Sequence, residues 1–211
     1  MNWTVVIPAK ALPEAKSRLA SVSDGPEAHR RLVEAIRADT IAAARSAEGV
    51  ARVVVVVDRP GPDTDALVQT SPGLDAAVSE GAAHASRHWP ADGVAALVGD
   101  LPALQPAELA AALRAAAEHA RAFVPDASGT GTTLLAATPG HSLRPQFGLG
   151  SAERHQVHAM PIDAGPGLRN DVDDAADLHA AAALGLGDAT AAELGNTGVI
   201  VRSACSGIMG A

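Results

Sequence analysis

With 211 residues, the chain is about one and a half times the roughly 150-residue scale of a domain, and it is read as a single domain over residues 1–211 able to bury a full core. Hydrophobic residues make up 47% but aromatic residues only 2%, with no Tyr, so Val, Leu, Ile and Ala must build the core, and aromatic base-stacking platforms are disfavoured. A formal net charge of -8 repels a phosphate backbone and argues against a nucleic-acid or anionic-membrane surface.

In chain order, the continuous apolar run at residues 3–7 predicts a strand. Residues 29–45 carry Leu32, Val33, Ile36 and Ile41 at helical spacing, and residues 53–57 predict a second strand. A shorter helix is expected at 82–89, a strand at 94–98, and a helix at 106–119 with Pro106 in its first turn. Strands at 123–125 and 132–138, a Pro- and Gly-rich loop at 139–150 and an acidic helix at 173–184 follow. A Val-Ile-Val run near the C-terminus reads as an edge strand. Runs bounded by Pro, Asp or Gly and alternating with helices indicate an α/β fold: a mostly parallel, Rossmann-like sheet in three αβα layers. The first residues are too short an apolar run for a signal peptide, no apolar stretch approaches the roughly 20 residues of a membrane span, and Cys205 is alone. A reducing cytoplasm is the expected location.

Five segments carry candidate chemistry. Directly after the first strand come Ile7-Pro8-Ala9-Lys10 and Glu14-Ala15-Lys16-Ser17-Arg18-Leu19. Open α/β sheets bind ligands beyond the carboxyl ends of their strands, so this segment is placed to meet one. Lys10 and Lys16 are the only lysines in the chain and, with Arg18, put three cations within nine residues. Two mobile point charges and a planar fork suit a triphosphate; a solvated basic loop is the plainer alternative. The second segment, Val98-Gly99-Asp100-Leu101-Pro102, puts a carboxylate just past a buried strand, where it can hold a hard cation or simply cap a turn. The third, Arg169-Asn170-Asp171-Val172-Asp173-Asp174, supplies partners. If it is extended, Asp171 and Asp173 share a side, while Asp174 points away or begins the helix as its cap. With Asp100 they suit one or two Mg²⁺ ions, which prefer carboxylates plus substrate phosphates to an all-protein cage.

The fourth segment, Asp126-Ala127-Ser128-Gly129-Thr130-Gly131-Thr132-Thr133, is a glycine- and hydroxyl-rich turn suited to an anion or a sugar edge. It is not a dinucleotide fingerprint, because the third glycine would fall at Leu134. The fifth, Phe147-Gly148-Leu149-Gly150-Ser151, reads as an amide nest for a carboxylate or phosphate, or as an ordinary helix cap with Arg154 and His155 exposed. His155 is not assigned general-base work. A P-loop is excluded, since no lysine follows Lys16.

In this order, the Pro-Ala-Lys and Ala-Lys-Ser-Arg-Leu start, Gly-Asp-Leu-Pro, Gly-Thr-Gly-Thr-Thr-Leu-Leu, Phe-Gly-Leu-Gly-Ser and Asp-Val-Asp resemble the guanylyltransferases of deazaflavin (coenzyme F-420) biosynthesis, over roughly residues 4–185. That family comprises phosphoenolpyruvate and 2-phospho-L-lactate guanylyltransferases. The resemblance implies a nucleotide-diphospho-sugar-transferase-like fold and transfer of GMP from GTP to the phosphate of phosphoenolpyruvate, giving enolpyruvyl-diphospho-guanosine and pyrophosphate. It further implies Mg²⁺ on Asp100, Asp171 and Asp173, GTP phosphates on Lys10, Lys16 and Arg18, and the phosphorylated acid on Thr133, Gly148 and Ser151. A homodimer and hand-off to a downstream transferase are compatible with it. The alternatives are phospholactate as substrate and a non-catalytic nucleotide-binding module. The family has a Gly-Leu-Asn element opening the helix before the central strand, and this place is assigned to Glu80-Gly81-Ala82-Ala83.

Overall fold

A computed structural model describes residues 1–9, 19, 25–59 and 66–196. Its strands are β1 (Trp3–Ala9), β2 (Val50–Val57), β3 (Leu67–Val68), β4 (Gly93–Leu97), β5 (Arg121–Pro125), β6 (Thr132–Ala137) and β7 (Met160–Pro161). Its helices are α1 (Pro26–Ser46), α2 (Leu74–His88), α3 (Pro106–Ala116), α4 (Ser151–Gln156), α5 (Pro166–Arg169), α6 (Ala175–Leu184) and α7 (Asp188–Asn196). The strands form one sheet in the order β3-β2-β1-β4-β6-β5-β7. Only β6 runs against its neighbours, β4 and β5; every other pairing is parallel.

Alternation along the strands explains the continuous apolar runs, since both faces are covered. Val5, Ile7, Ala95, Leu97, Leu134 and Ala136 pack on one face with Ala43 and Ala44 of α1, Leu109 and Leu113 of α3, and Leu168 of α5. Their neighbours Val6, Val94, Ala96, Leu135 and Ala137 pack on the other with Ala77, Val78 and Ala85 of α2 and Ala152 of α4. A third cluster seats α6 and α7 on the outer side of α1, joining Leu32 and Ile36 to Val172, Leu178, Ala181 and Leu194. The expected three layers are present.

The short β3, β7 and α5 are not expected from the sequence, and two helices depart from the reading more instructively. α2 opens at Leu74, eight residues before the helix expected at 82, because Gly81, a helix-weakening residue, reads as an interruption when it is in fact a contact. A methyl group there would run into Val6 and lie 2.8 Å from Val56 Cγ2, so its absence lets α2 lie close on the sheet. α7 has no cap of its own. Its first amides, Ala189 N–H and Thr190 N–H, donate to the Asp39 carboxylate of α1 at 3.0 and 2.8 Å, a partner some 150 residues away that no local pattern announces. The expected C-terminal edge strand lies outside the described residues. Among those that are described, no helix is long and apolar enough to cross a membrane.

Replacing Gly81 with Ala overpacks the α2–sheet contact. It should lower the unfolding free energy by about 1–3 kcal/mol in a urea titration, with an unchanged m-value.

Candidate active site

The carboxyl ends of β1, β2 and β4 reach one edge of the sheet, and the reversed β6 begins there. Asp100 stands three residues past β4. Gly99 lets this turn press on β1, where an added Cβ would lie 3.3 Å from the Pro8 carbonyl. The peptide that follows Asp100 is held from both sides. Thr40 Oγ1, buried in α1, accepts from Leu101 N–H at 2.9 Å and donates to the Ile36 carbonyl at 3.0 Å. On the other side, Val172 N–H donates to the Asp100 carbonyl at 3.0 Å. Val172 is buried against Leu32 and Ile36, so its neighbours Asp171 and Asp173 face the opposite way, as an extended segment requires. Asp171 is partly buried and Asp173 exposed. Asp174 is the cap of α6: its carboxylate accepts from Ala176 N–H and Asp177 N–H, and Asp177 bonds back to the Asp174 amide.

These carboxylates act on one another. Burial, reinforced by the negative charges of Asp100, Asp173 and Asp126, pushes the Asp171 carboxyl up to about 7. Asp126, at the end of β5 and the start of the fourth segment, belongs to the same electrostatic neighbourhood. Arg37 of α1 is a half-buried guanidinium held below its usual value by burial, while Glu34, Asp58 and Asp100 pull it back. Among the described residues, no three His, Cys, Asp or Glu side chains converge on one metal position, so Asp100, Asp171 and Asp173 do not close into the three-ligand set expected of them. The donor chemistry nevertheless fits Mg²⁺: hard carboxylate oxygens on two segments tied together at the Asp100 carbonyl, with like charge that a cation would relieve. One or two carboxylates suffice when phosphates complete the shell.

Across the β4–β6 pair lies the second half of the site. Val98 N–H donates to the Thr133 carbonyl at 3.0 Å. The Thr133 hydroxyl is buried and meets no hydrogen-bond partner among the described residues, as suits a group that receives a ligand. Ser151 is also buried, and its hydroxyl donates to Thr132 Oγ1 at 3.1 Å. His155, expected to be exposed in the plainer reading of this segment, is instead fully buried. Its Nε2 accepts from Gln146 N–H at 3.0 Å, which leaves the proton on Nδ1, 2.9 Å from Thr132 Oγ1. Burial, with smaller contributions from His158 and Arg154, brings the imidazole down to about 4. It is a neutral strut. Asp75, in the first turn of α2, accepts from Phe147 N–H at 2.8 Å, tying the start of the Gly148 loop to α2, which packs on the same face of the sheet.

Lys10, Lys16 and Arg18 lie outside the described residues. The Gly-Leu-Asn position is corrected. The helix before β4 opens at Gly73-Leu74-Asp75, whereas Glu80 lies inside α2 and accepts from Thr70 and Ser71. Thr40, Asp75 and Arg37 adjoin none of the five segments, and only the packing of α1 and α2 brings them to this edge; Asp126 opens the fourth segment, but nothing local in the sequence links it to the carboxylates.

Comparison with solved structures places the fold. A Desulfovibrio desulfuricans G20 protein described as a nucleotide-diphospho-sugar transferase superposes with a TM-score of 0.70 at 15% identity, covering 96% of this chain and 98% of that one. A 4-diphosphocytidyl-2C-methyl-D-erythritol synthase gives 0.51 at 18% identity, covering 87% of this chain and 97% of that one. The fold is therefore that of the nucleotide-diphospho-sugar transferases. No family model matches the chain. Among individual proteins, the phosphoenolpyruvate guanylyltransferase of Geodermatophilus obscurus is 49% identical, over 92% of this chain and 94% of the relative. That of Streptomyces coelicolor is 47% identical, over 91% and 95%. The chain belongs to the phosphoenolpyruvate guanylyltransferase family, and it is a nucleotidyltransferase.

Two outcomes follow from the charges. At pH 8, in metal-free and nucleotide-free protein, Asp171→Asn removes repulsion without changing shape and should raise the unfolding free energy by about 1–2 kcal/mol. His155 has a folded value near 4, below its ordinary 6.5, so its contribution is complete above pH 6.5 and is lost as the pH falls towards 4. The stability advantage of the native protein over His155→Leu should accordingly shrink by about 2–3 kcal/mol across that window, read from denaturant midpoints at each pH.

Proposed function

We propose that this chain transfers the guanylyl group of GTP to the phosphate of phosphoenolpyruvate, forming enolpyruvyl-diphospho-guanosine and pyrophosphate. Family membership carries the reading, and the paired carboxylates beyond β4 support it. Asp100 and Asp171 would hold Mg²⁺, with Asp173 adding charge beside them. Bound there, the ion would supply positive charge that offsets the mutual repulsion of the reacting phosphates. Lys10, Lys16 and Arg18 are the protein's own cations for the triphosphate. Thr133, Gly148 and Ser151 hold the acid: Thr133 through its unpartnered hydroxyl, Gly148 through its amide, and Ser151 by exchanging its internal bond to Thr132 for one to the ligand.

The nucleophile needs no base, because a phosphate oxygen is already ionised at neutral pH. It attacks the α-phosphorus in line, the bond from that phosphorus to the bridging oxygen breaks, and the electron pair leaves with pyrophosphate. Positioning and charge stabilisation are the whole of the protein's task. His155 takes no proton, since its only unprotonated nitrogen accepts the Gln146 amide. The product would enter deazaflavin coenzyme biosynthesis in the cytoplasm, handed to a downstream transferase by a monomer or a homodimer.

The test supplies the protein with Mg²⁺ and GTP plus either phosphoenolpyruvate or 2-phospho-L-lactate, and measures pyrophosphate together with the mass of the diphosphodiester. Phosphoenolpyruvate should turn over, and Asp100→Ala should lower the rate by at least about a hundredfold. Turnover with phospholactate alone would reassign the acid. No pyrophosphate with either, and Mg²⁺-dependent GTP binding indifferent to Asp100→Ala, would make the chain a nucleotide-binding module.

A further inference from the structure

The loop from Gln146 to Gly150 is held by the Phe147 ring, which packs on the core and edge-on to His155, and otherwise through its backbone. The Leu149 side chain is 97% exposed and anchors nothing. Arg154, one turn into α4, instead reaches back under the loop. Its Nε and Nη2 donate to the Gln146 carbonyl at 3.2 and 3.0 Å, Nη2 also to the Phe147 carbonyl at 3.1 Å, and Nη1 to the Leu149 carbonyl at 2.7 Å. The remaining carbonyl, that of Gly148, accepts from Ser151 N–H at 3.0 Å. Four consecutive carbonyls are thus turned inward.

In a trans peptide the C=O and the following N–H point in opposite directions. Each carbonyl drawn to Arg154 therefore sends the next amide away from it. Phe147 N–H goes to Asp75. The amides of Gly148 and Gly150 follow the captured Phe147 and Leu149 carbonyls, and the amide of Leu149 follows the Gly148 carbonyl. Among the described residues, none of these three amides meets a hydrogen-bond partner. The arrangement needs φ of +102° at Gly148 and +72° at Gly150, a backbone that glycine adopts without strain. The guanidinium adds a positive charge behind amides whose positive ends already face outward.

The geometry points to Arg154 as a positioning residue for the acid substrate: it does not touch the ligand but holds the Gly148–Gly150 amides in the orientation that receives an anion. A planar fork with five donors can take carbonyls of three residues at once, whereas lysine, with three donors on one nitrogen, cannot span them. The inference rests on the proposal that the chain uses phosphoenolpyruvate, and two separate measurements distinguish their failures.

Steady-state constants for both substrates would be measured for the native protein, Arg154→Met and Arg154→Lys, each checked for folding by its thermal midpoint. Arg154→Met should raise the KM for phosphoenolpyruvate at least about tenfold while leaving the KM for GTP within about threefold, and Arg154→Lys should fall between. In ¹⁵N spectra, the Gly148 and Gly150 amides should shift on titration of native protein with phosphoenolpyruvate, and less in either variant. An unchanged KM for the acid, or loss of kcat with both KM values unmoved, would overturn the positioning role. If Arg154→Met does not fold, the lysine variant decides by the same ratio. Native protein with no turnover of phosphoenolpyruvate would instead sink the functional proposal.

Discussion

The peptide joining Asp100 to Leu101 is the point on which the site depends. Its amide side is taken by Thr40 from α1 and its carbonyl side by Val172, so one planar unit fixes the central strand's exit, the longest helix and the acidic segment ahead of α6 in a single arrangement. Because the hydroxyl of Thr40 is buried and satisfied in both directions, the join is stiff. Stiffness is needed, since the carboxylates it assembles repel one another. A flexible edge would let Asp171 swing to solvent and keep an ordinary acidity; this one keeps it buried, with Asp100 beside it, and so displaced to about 7. The local cost is the usual mark of a site arranged for a partner rather than for its own stability.

A net charge of -8 is easily read as hostility to anionic ligands, yet the edge of the sheet sorts its charge. Negative groups concentrate where β4 ends. Beyond β6, the groups proposed to receive the acid are neutral hydroxyls and peptide amides, the amides backed by the Arg154 guanidinium, which faces the backbone. Long-range repulsion therefore works against extended polyanions, while a compact anion entering with a divalent cation meets dipoles rather than like charge. Overall acidity and local anion recognition are compatible because they operate at different distances.

Much of this was legible in the chain itself. Runs such as Val53–Val57 betray a strand buried on both faces because the alternating inward positions of both layers are apolar, and the electrostatic neighbourhood of Asp100 and Asp171 was legible from a carboxylate just past a buried strand and an acidic extended segment further on. What escaped was set by distant partners. Gly81 looks like a helix interruption until Val6 and Val56 are seen against it. α7 is capped by Asp39 across the fold, and His155, flanked by Arg154 and His158, looks like a surface residue until Gln146 and Thr132 close on its two nitrogens. The Gly-Leu-Asn counterpart lies at Gly73-Leu74-Asp75, earlier than the sequence suggests, because the Ala-rich first turns of α2 carry little periodicity and Gly81 reads as a break.

The reversal of β6 has one more consequence. Parallel strands bring one crossover loop each to the carboxyl edge, at about a dozen residues or more per crossover; a reversed strand brings its first residues there through a short turn from β5. As a result, Thr133, Gly148 and Ser151 all fall within residues 121–161, a contiguous cassette of β5, β6, α4 and β7, whereas Asp100 and the α1 contacts that hold it come from earlier in the chain. The residues proposed for the acid are thus contiguous in the chain, so substitutions within 121–161 can reshape that proposed pocket without touching Asp100 or the α1 contacts that hold it.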